Sequence, residues 1–205
     1  MVYVSIERLV GVAEGAPLAL ARERSEAALV ERAKAGDHDA FAELLDARLN
    51  PTFRTAMAIL GDEAEARDAT QAVFIQAWTR LPQLRDATLF SAWFGRIVVN
   101  TARSALRVRR RRTVREIHAG SLPIDDGGFA ASGPGHEDRT ADLDRIERAF
   151  ERLSPDERTV LWLHHYEDLS LAEIAERTGV PARTVKSRLF TARRALERAL
   201  QLEDR

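Results

Sequence analysis

The chain has 205 residues, and its apolar fraction of 45% suffices for the core of one medium domain or two small ones. Lysine and arginine number 31 against 32 aspartates and glutamates, so the net charge of -1 gives the whole molecule no pull on a polyanion; any such contact must come from a local patch. The absence of cysteine excludes disulfides, thiolate metal sites and cysteine nucleophiles.

The start, MVYVSIERLVGVAEGAPLALARERSE, lacks the basic opening and continuous apolar core of a signal peptide. No stretch approaches the ~20 apolar residues of a membrane span, so a soluble, cytoplasmic protein without membrane insertion is expected. Within residues 1–25, VYVSIERLV could form a short helix or an extended segment. Residues 26–46 read as two short helical pieces broken at Gly36, with Asp39 a candidate cap and Phe41, Leu44 and Leu45 at helical spacing. Asn50 and Pro51 suit the cap and first turn of another helix carrying Phe53, Ala56, Ile59 and Leu60, which Gly61 can close. From Glu63 to Leu81 an apolar stripe runs through Val73, Phe74, Ala77, Trp78 and Leu81. After Pro82 helical spacing returns in Phe90, Trp93, Phe94, Ile97 and Val98, and Gly95 costs about 1 kcal/mol of helix propensity relative to alanine without defeating the pattern. Toward the end of this helix Arg103, Arg107, Arg109, Arg110, Arg111 and Arg112 replace the apolar face, so the helix leaves a core and becomes cationic.

Residues 117–140 hold five glycines, two prolines and four acidic residues without periodicity. They read as a flexible linker, and the domain plan is an extension over 1–25, a first unit over 26–113, a linker over 114–140 and a second unit over 141–205. In the second unit Leu143, Ile146, Phe150 and Leu153 share a face. Ser154, Pro155 and Glu157 make a helix start signal, with Val160, Leu161, Leu163 and Tyr166 behind it.

LSLAEIAERTGVPARTVKSRLFTARRAL then carries the marks of a helix-turn-helix. Ser170 caps a helix with Leu171, Ile174 and Ala175, Gly179 permits the turn, Val180 packs between helices, and Val185 and Leu189 face the core of the next helix. That phase leaves Arg183, Thr184, Lys186, Ser187 and Arg188 outward at the start of a recognition helix, as candidates for base edges or phosphates; Arg193 and Arg194 are candidates for backbone contact. A basic solvated helix or a protein-binding trihelical unit is the bland rival. No run reads as a strand. The expected fold is all-α: two small helical domains, the C-terminal one a helix-turn-helix, joined by a flexible linker.

Over residues 26–113 and 141–200, the ordered strings GDHDAFAELL, EARDATQAVFIQAW, FSAWFGRIVVNTARSALRVRRRR and LSPDERTVLWLHHYEDLSLAEIAERTGVPARTVKSRLFTARRAL resemble the extracytoplasmic-function (ECF) sigma factors of bacterial RNA polymerase. The resemblance implies a first unit that grips the clamp helices of the largest core RNA polymerase subunit and opens promoter DNA near its minus-10 element. Asp68, Gln71, Phe74 and Trp78 match the polymerase-facing positions; Phe74 and Trp78 would mainly support the core, leaving Asp68, Gln71 and nearby Arg80 as the exposed candidates. The family places an acidic residue after the glutamine, where Ala72 stands here. Leu84, Arg85, Asp86 and Ala87 fall in the loop that captures an unpaired minus-10 base, and Arg96, Asn100 and Arg103 on the helix that lies along the strand. Trp93 could fill the core or stack on a base. The second unit would read the minus-35 element and lie against the flap of the other large subunit. The linker, with Asp125, Asp126, Glu137 and Asp138, would pass near the RNA exit path or serve as a plain tether. An anti-sigma protein is the further partner implied.

No phosphate loop or dinucleotide motif appears. His118, His136, His164 and His165 form no metal set, and the last two should point in different directions on their helix, one packed and one exposed. Glu63, Glu65 and Asp68 are better explained as a solvated or partner-binding face than as a metal or acid-base site. No cofactor and no enzymatic activity are expected. The alternatives to the sigma function are a polymerase-independent helix-turn-helix regulator and an adaptor for regulatory proteins.

Overall fold

The computed structural model describes residues 16–118 and 141–203. The α-helices of the described residues form two groups, α1–α4 and α5–α8. The first contains α1 (Ala16–Lys34), α2 (His38–Leu60), α3 (Glu63–Arg80) and α4 (Phe90–His118). The second contains α5 (Ala141–Glu151), α6 (Pro155–His165), α7 (Leu171–Thr178) and α8 (Ala182–Glu203). VYVSIERLV and the acidic linker residues Asp125, Asp126, Glu137 and Asp138 lie outside the described residues.

Short polar caps set the boundaries. Asp37, not Asp39, caps α2: its carboxylate accepts from the Ala40 amide at 3.0 Å, whereas Asp39 already lies in the first helical turn. At the other end Gly61 closes α2 in the left-handed region, and Asp62 immediately caps α3 by accepting from the Glu65 amide. The break expected at Asn50 and Pro51 does not occur, and α2 runs straight through Pro51. Proline removes one helical donor, and the carbonyl that loses it belongs to exposed Ala47, where water can take the donor's place. Further along, α4 continues to His118, past the expected unit end at 113, and α1 begins at Ala16, inside the stretch assigned to the extension.

One core cluster belongs to the first group alone: Val30, Phe41, Leu44, Val73, Leu81, Phe90, Phe94 and Ile97 join α1 to α4. The other belongs to both groups. Ala56, Ile59 and Leu60 of α2 and Val99, Ala102 and Leu106 of α4 pack in one cluster with Val160, Leu161 and Leu163 of α6, Ile174 of α7 and Val185 and Leu189 of α8. Arginines from both groups meet the C-terminus of α2, whose last carbonyls lack helical partners. Arg109 of α4 donates to the Leu60 carbonyl at 3.1 Å, and Arg158 of α6 approaches the Ile59 carbonyl at 3.5 Å. The two groups are therefore docked on one another.

Candidate nucleic-acid interface

The helix-turn-helix forms as the local sequence dictates. Ser170 accepts from the Glu173 amide, and the Glu173 carboxylate accepts from the Ser170 amide at 2.8 Å, which satisfies two of the donors that a helix start leaves open. That pairing, led by the Ser170 hydroxyl and then its amide, holds the Glu173 pKa below its ordinary value. Gly179 ends α7 with φ 67°, and its amide donates to the Ala175 carbonyl. Val185 and Leu189 turn inward on α8.

This phase leaves Arg183, Lys186 and Ser187 exposed and Thr184 half-buried. Arg188 is half-buried and meets Asp156 at 3.2 Å. Arg193 is half-buried beside His165, with 3.4 Å between Nη2 and Nε2, while Arg194 is exposed. The face also carries Phe190, 63% exposed, with the Arg194 guanidinium 5.8 Å from its ring centre. Sequence reasoning passed over Phe190, although its place one residue after inward Leu189 and four after outward Lys186 could have shown it.

In the first group the expected strand-capturing loop is a pair of 3₁₀ turns, Leu81–Gln83 and Ala87–Leu89. Leu84 and Ala87 are buried and anchor the loop, while Arg85 and Asp86 face outward. Asp86 accepts from both the Thr88 amide and hydroxyl, which fixes the second turn and holds the carboxyl's pKa down. On α4, Arg96 and Asn100 are exposed and Arg103 is half-buried. Trp93 is half-buried against Phe90, ring centres 5.8 Å apart, at the margin of the core.

Asp68, Gln71 and Arg80 are exposed on α3. A groove of about 670 Å³ between α3 and α4 brings Asp68, Gln76 and Arg80 together with Asn100, Ser104 and Arg112. Phe74 is half-buried, but Trp78 is 37% exposed and tilts over Phe41 and His38, and Ile75 beside it is exposed as well. Trp78 thus supports the core with one face and offers the other to solvent.

His164 and His165 are both half-buried, with ring centres 4.8 Å apart, so the expected split into one packed and one exposed ring does not hold. His164 finds the Leu169 carbonyl at 2.9 Å, which draws its ring inward. Burial first, then His164 and Arg193, pulls the His165 pKa down to about 4. Among the described residues no group of three or more histidines and carboxylates is arranged to hold a metal ion. No described helix is long and apolar enough to cross a membrane.

Arg96 and Arg103 have partners that sequence gave no means of finding, because they come from the other helical group. Arg96 pairs with Glu176. Arg103 donates to the Thr178 carbonyl at 2.7 Å and lies 3.8 Å from the Asp156 carboxylate that also holds Arg188. Burial lowers the Arg103 pKa, and Asp156 opposes that shift.

An outward basic helix start on α8 and a second basic surface on α4 give one helical chain two places suited to a polyanion. Residues 44–112 match the family model for sigma-70 region 2, and residues 143–196 that for sigma-70 region 4. RNA polymerase sigma-H factor of Pseudomonas aeruginosa is 34% identical over 178 residues, spanning 84% of this chain and 92% of that protein. ECF RNA polymerase sigma-E factor of Escherichia coli is 30% identical over 187 residues, spanning 89% of this chain and 97% of that one. The fold also matches that of the sigma factor RpoE in its complex with the anti-sigma factor NepR from Bartonella quintana, with a TM-score of 0.65 at 24% identity, covering 78% of this chain and 96% of that one. The chain belongs to the ECF sigma factor family. Its general function is therefore that of a sigma factor, binding RNA polymerase and DNA without being an enzyme.

Proposed function

We propose that α8 reads a minus-35 element in the major groove, while the 84–87 loop and α4 hold an opened minus-10 strand, so that core polymerase starts transcription only where both are present. The observation that carries this reading is the outward, basic N-terminal segment of α8: Arg183, Lys186 and Ser187 are exposed, behind a capped helix and a left-handed Gly179 turn. The start of a recognition helix enters the groove, where arginine or lysine meets base edges or phosphates and a hydroxyl approaches bases closely. Thr184 and Arg188 flank these contacts, and Arg193 and Arg194 serve the backbone farther along.

In the first unit exposed Arg85 and Asp86 supply the polar chemistry for an unpaired base, with buried Leu84 and Ala87 setting the loop's shape. Arg96, Asn100 and Arg103 track the strand. Polymerase is bound through Asp68, Gln71 and Arg80 on α3, with exposed Ile75 and the open face of Trp78 adding apolar contact. Two contacts joined through one polymerase turn modest separate affinities into selective initiation. An anti-sigma protein is proposed as the inhibitory partner, since the sigma factor RpoE, whose fold this chain shares, is found in complex with the anti-sigma factor NepR.

The test is transcription from a panel of promoters by bacterial core polymerase with and without the protein. Initiation that depends on the protein, with protection of both elements in footprints, is expected. Folded protein that binds core yet protects neither element rejects the promoter reading.

A further inference from the structure

α1 carries none of the residues assigned to DNA or to polymerase, yet it packs on the 3₁₀ turns of the strand-capturing loop. Val30 and Ala33 of α1 share a buried cluster with Leu81, Leu84 and Ala87 of the loop and Phe90 at the start of α4. Lys34, the last residue of α1, acts on the loop as well: after the two Thr88 bonds, and against burial, its ammonium helps hold the Asp86 pKa down.

A polar network ties α1 to the start of α4. One terminal nitrogen of Arg48, on α2, donates to the Glu26 carboxylate of α1 and to the Ser91 hydroxyl of α4 at 2.6 Å. That hydroxyl in turn donates to the second Glu26 oxygen at 2.7 Å. The Arg48 guanidinium also lies over the Phe90 and Phe94 rings, 5.7 and 5.9 Å from their centres, where the ring faces attract a cation. All three polar side chains are half-buried, so three helices meet at one partly shielded guanidinium. The second 3₁₀ turn runs into α4 without a spacer, and the Phe90 amide donates back to the Ala87 carbonyl. Movement at Ser91 is therefore movement of the loop.

We propose that Glu26, Arg48 and Ser91 are positioning residues for minus-10 recognition: through them α1 sets the angle at which the 84–87 loop meets an unpaired base. The inference rests on the minus-10 assignment made above. Apolar packing of Leu84 and Ala87 is non-directional and holds the loop down without fixing its orientation. Hydrogen bonds are directional, and a site that selects a base by them must be held to about 0.5 Å. Thr88 fixes Asp86 only within its own turn, so the orientation of that turn comes from the network behind it.

The test joins the full-length chain to bacterial core polymerase. The probe is a promoter from which that holoenzyme initiates, opened beforehand by a mismatched bubble across the minus-10 element, which takes the cost of melting out of the measurement. Affinity is measured for the intact bubble and for bubbles with an abasic site at each minus-10 position in turn. Wild type is compared with Arg48→Ala, Glu26→Gln and Ser91→Ala. Circular dichroism and affinity for core check folding; if Arg48→Ala does not fold, the two milder variants carry the test. Wild type should lose roughly tenfold at the captured position, the factor that one well-held base supplies. The variants should bind the intact bubble several-fold more weakly and the abasic one as wild type does, with core affinity and minus-35 protection unchanged. Variants that keep the full abasic penalty overturn the positioning role, even where their stability falls. A wild type indifferent to every abasic position overturns base capture itself and the network's part in it. That failure shows in the wild type, whereas failure of the network alone shows only in the variants.

Discussion

Gly61 and Gly179 end α2 and α7 in nearly the same geometry, with φ 69° and ψ 18° at the first and φ 67° and ψ 22° at the second. Alanine at either position meets the left-handed backbone penalty of about 1 kcal/mol. At Gly179 nothing lies within 4 Å of the added methyl, so that penalty is the whole expected loss. At Gly61 the methyl would fall 2.9 Å from both terminal nitrogens of Arg158, a side chain of α6 that is only 7% exposed. The end of an arginine can swing aside, but here the swing withdraws a buried guanidinium from the Ile59 carbonyl, which adds about 1–2 kcal/mol for a charged donor losing its acceptor. Gly61→Ala should therefore lose about 2–3 kcal/mol and Gly179→Ala about 1 kcal/mol. In a chain of this size each kcal/mol moves the melting temperature by roughly 2–4 °C. Thermal and urea unfolding of both variants, and of Gly61→Ala combined with Arg158→Ala, measure the difference. The double variant should recover roughly 1 kcal/mol relative to the sum of the single losses, because removing the guanidinium removes the clash. Equal losses for the two glycines, or strict additivity in the double variant, would refute the argument that Arg158 docks against the end of α2.

Lys186→Ala should weaken duplex binding and lower the slope of log affinity against log salt by about 0.9, the value for one phosphate contact, as a fluorescence titration at several salt concentrations would show. Ser170→Ala should cost about 1 kcal/mol at pH 7 through loss of the α7 capping box. Because the Glu173 pKa is depressed in the folded chain, its contribution is present above the ordinary carboxylate value and fades as pH falls through the folded value; the stability gap between wild type and variant should close in acid. His165 has the opposite chemistry with the same direction of pH dependence. It is neutral when folded down to about 4 but takes up a proton near 6.5 when unfolded, so stability present above pH 6.5 is lost as pH falls toward 4. A series of melting curves from pH 7 to pH 5 should show a decline in the wild type that His165→Leu flattens.

Local rules made much of the second unit legible. Ser154, Pro155 and Glu157 start α6, Ser170 and Glu173 start α7, and Gly179 turns the chain, each by bonds within a few residues. The inward phase of Val185 and Leu189 then fixes which face of α8 is basic and outward. The first unit was legible in its apolar stripes but less so at its boundaries. Asn50 and Pro51 look like a start signal because proline suits a first turn, yet burial of Thr52, Thr55 and Ala56 along α2 holds the helix together through that point. The contacts between units were not legible at all. Nothing near Gly95 names Arg177 as the group that occupies its missing Cβ, and nothing near Arg103 names Asp156.

The near-neutral charge of the molecule takes on a physical meaning where the two groups pack together. Carboxylates of the second unit neutralise arginines of the first, and Asp156 also holds Arg188 within its own unit, so the seam sets basic surface against acidic surface. Salt then acts twice on the wild-type chain. It screens the arginines from phosphate, which weakens DNA binding, and it screens the same arginines from Asp156 and Glu176, which frees them for DNA and opposes the first effect. The observed slope of log affinity against log salt should accordingly be shallower for the wild-type chain than for Asp156→Asn, by about 0.9 for each arginine that the carboxylate releases. Gly95→Ala is the charge-neutral comparison, since it crowds the Arg177 guanidinium at the seam without altering any charge. If its slope matches that of the wild type while its affinity is higher, the seam is held by packing, and the carboxylates do not compete with DNA; if it steepens toward that of Asp156→Asn, the competition is electrostatic.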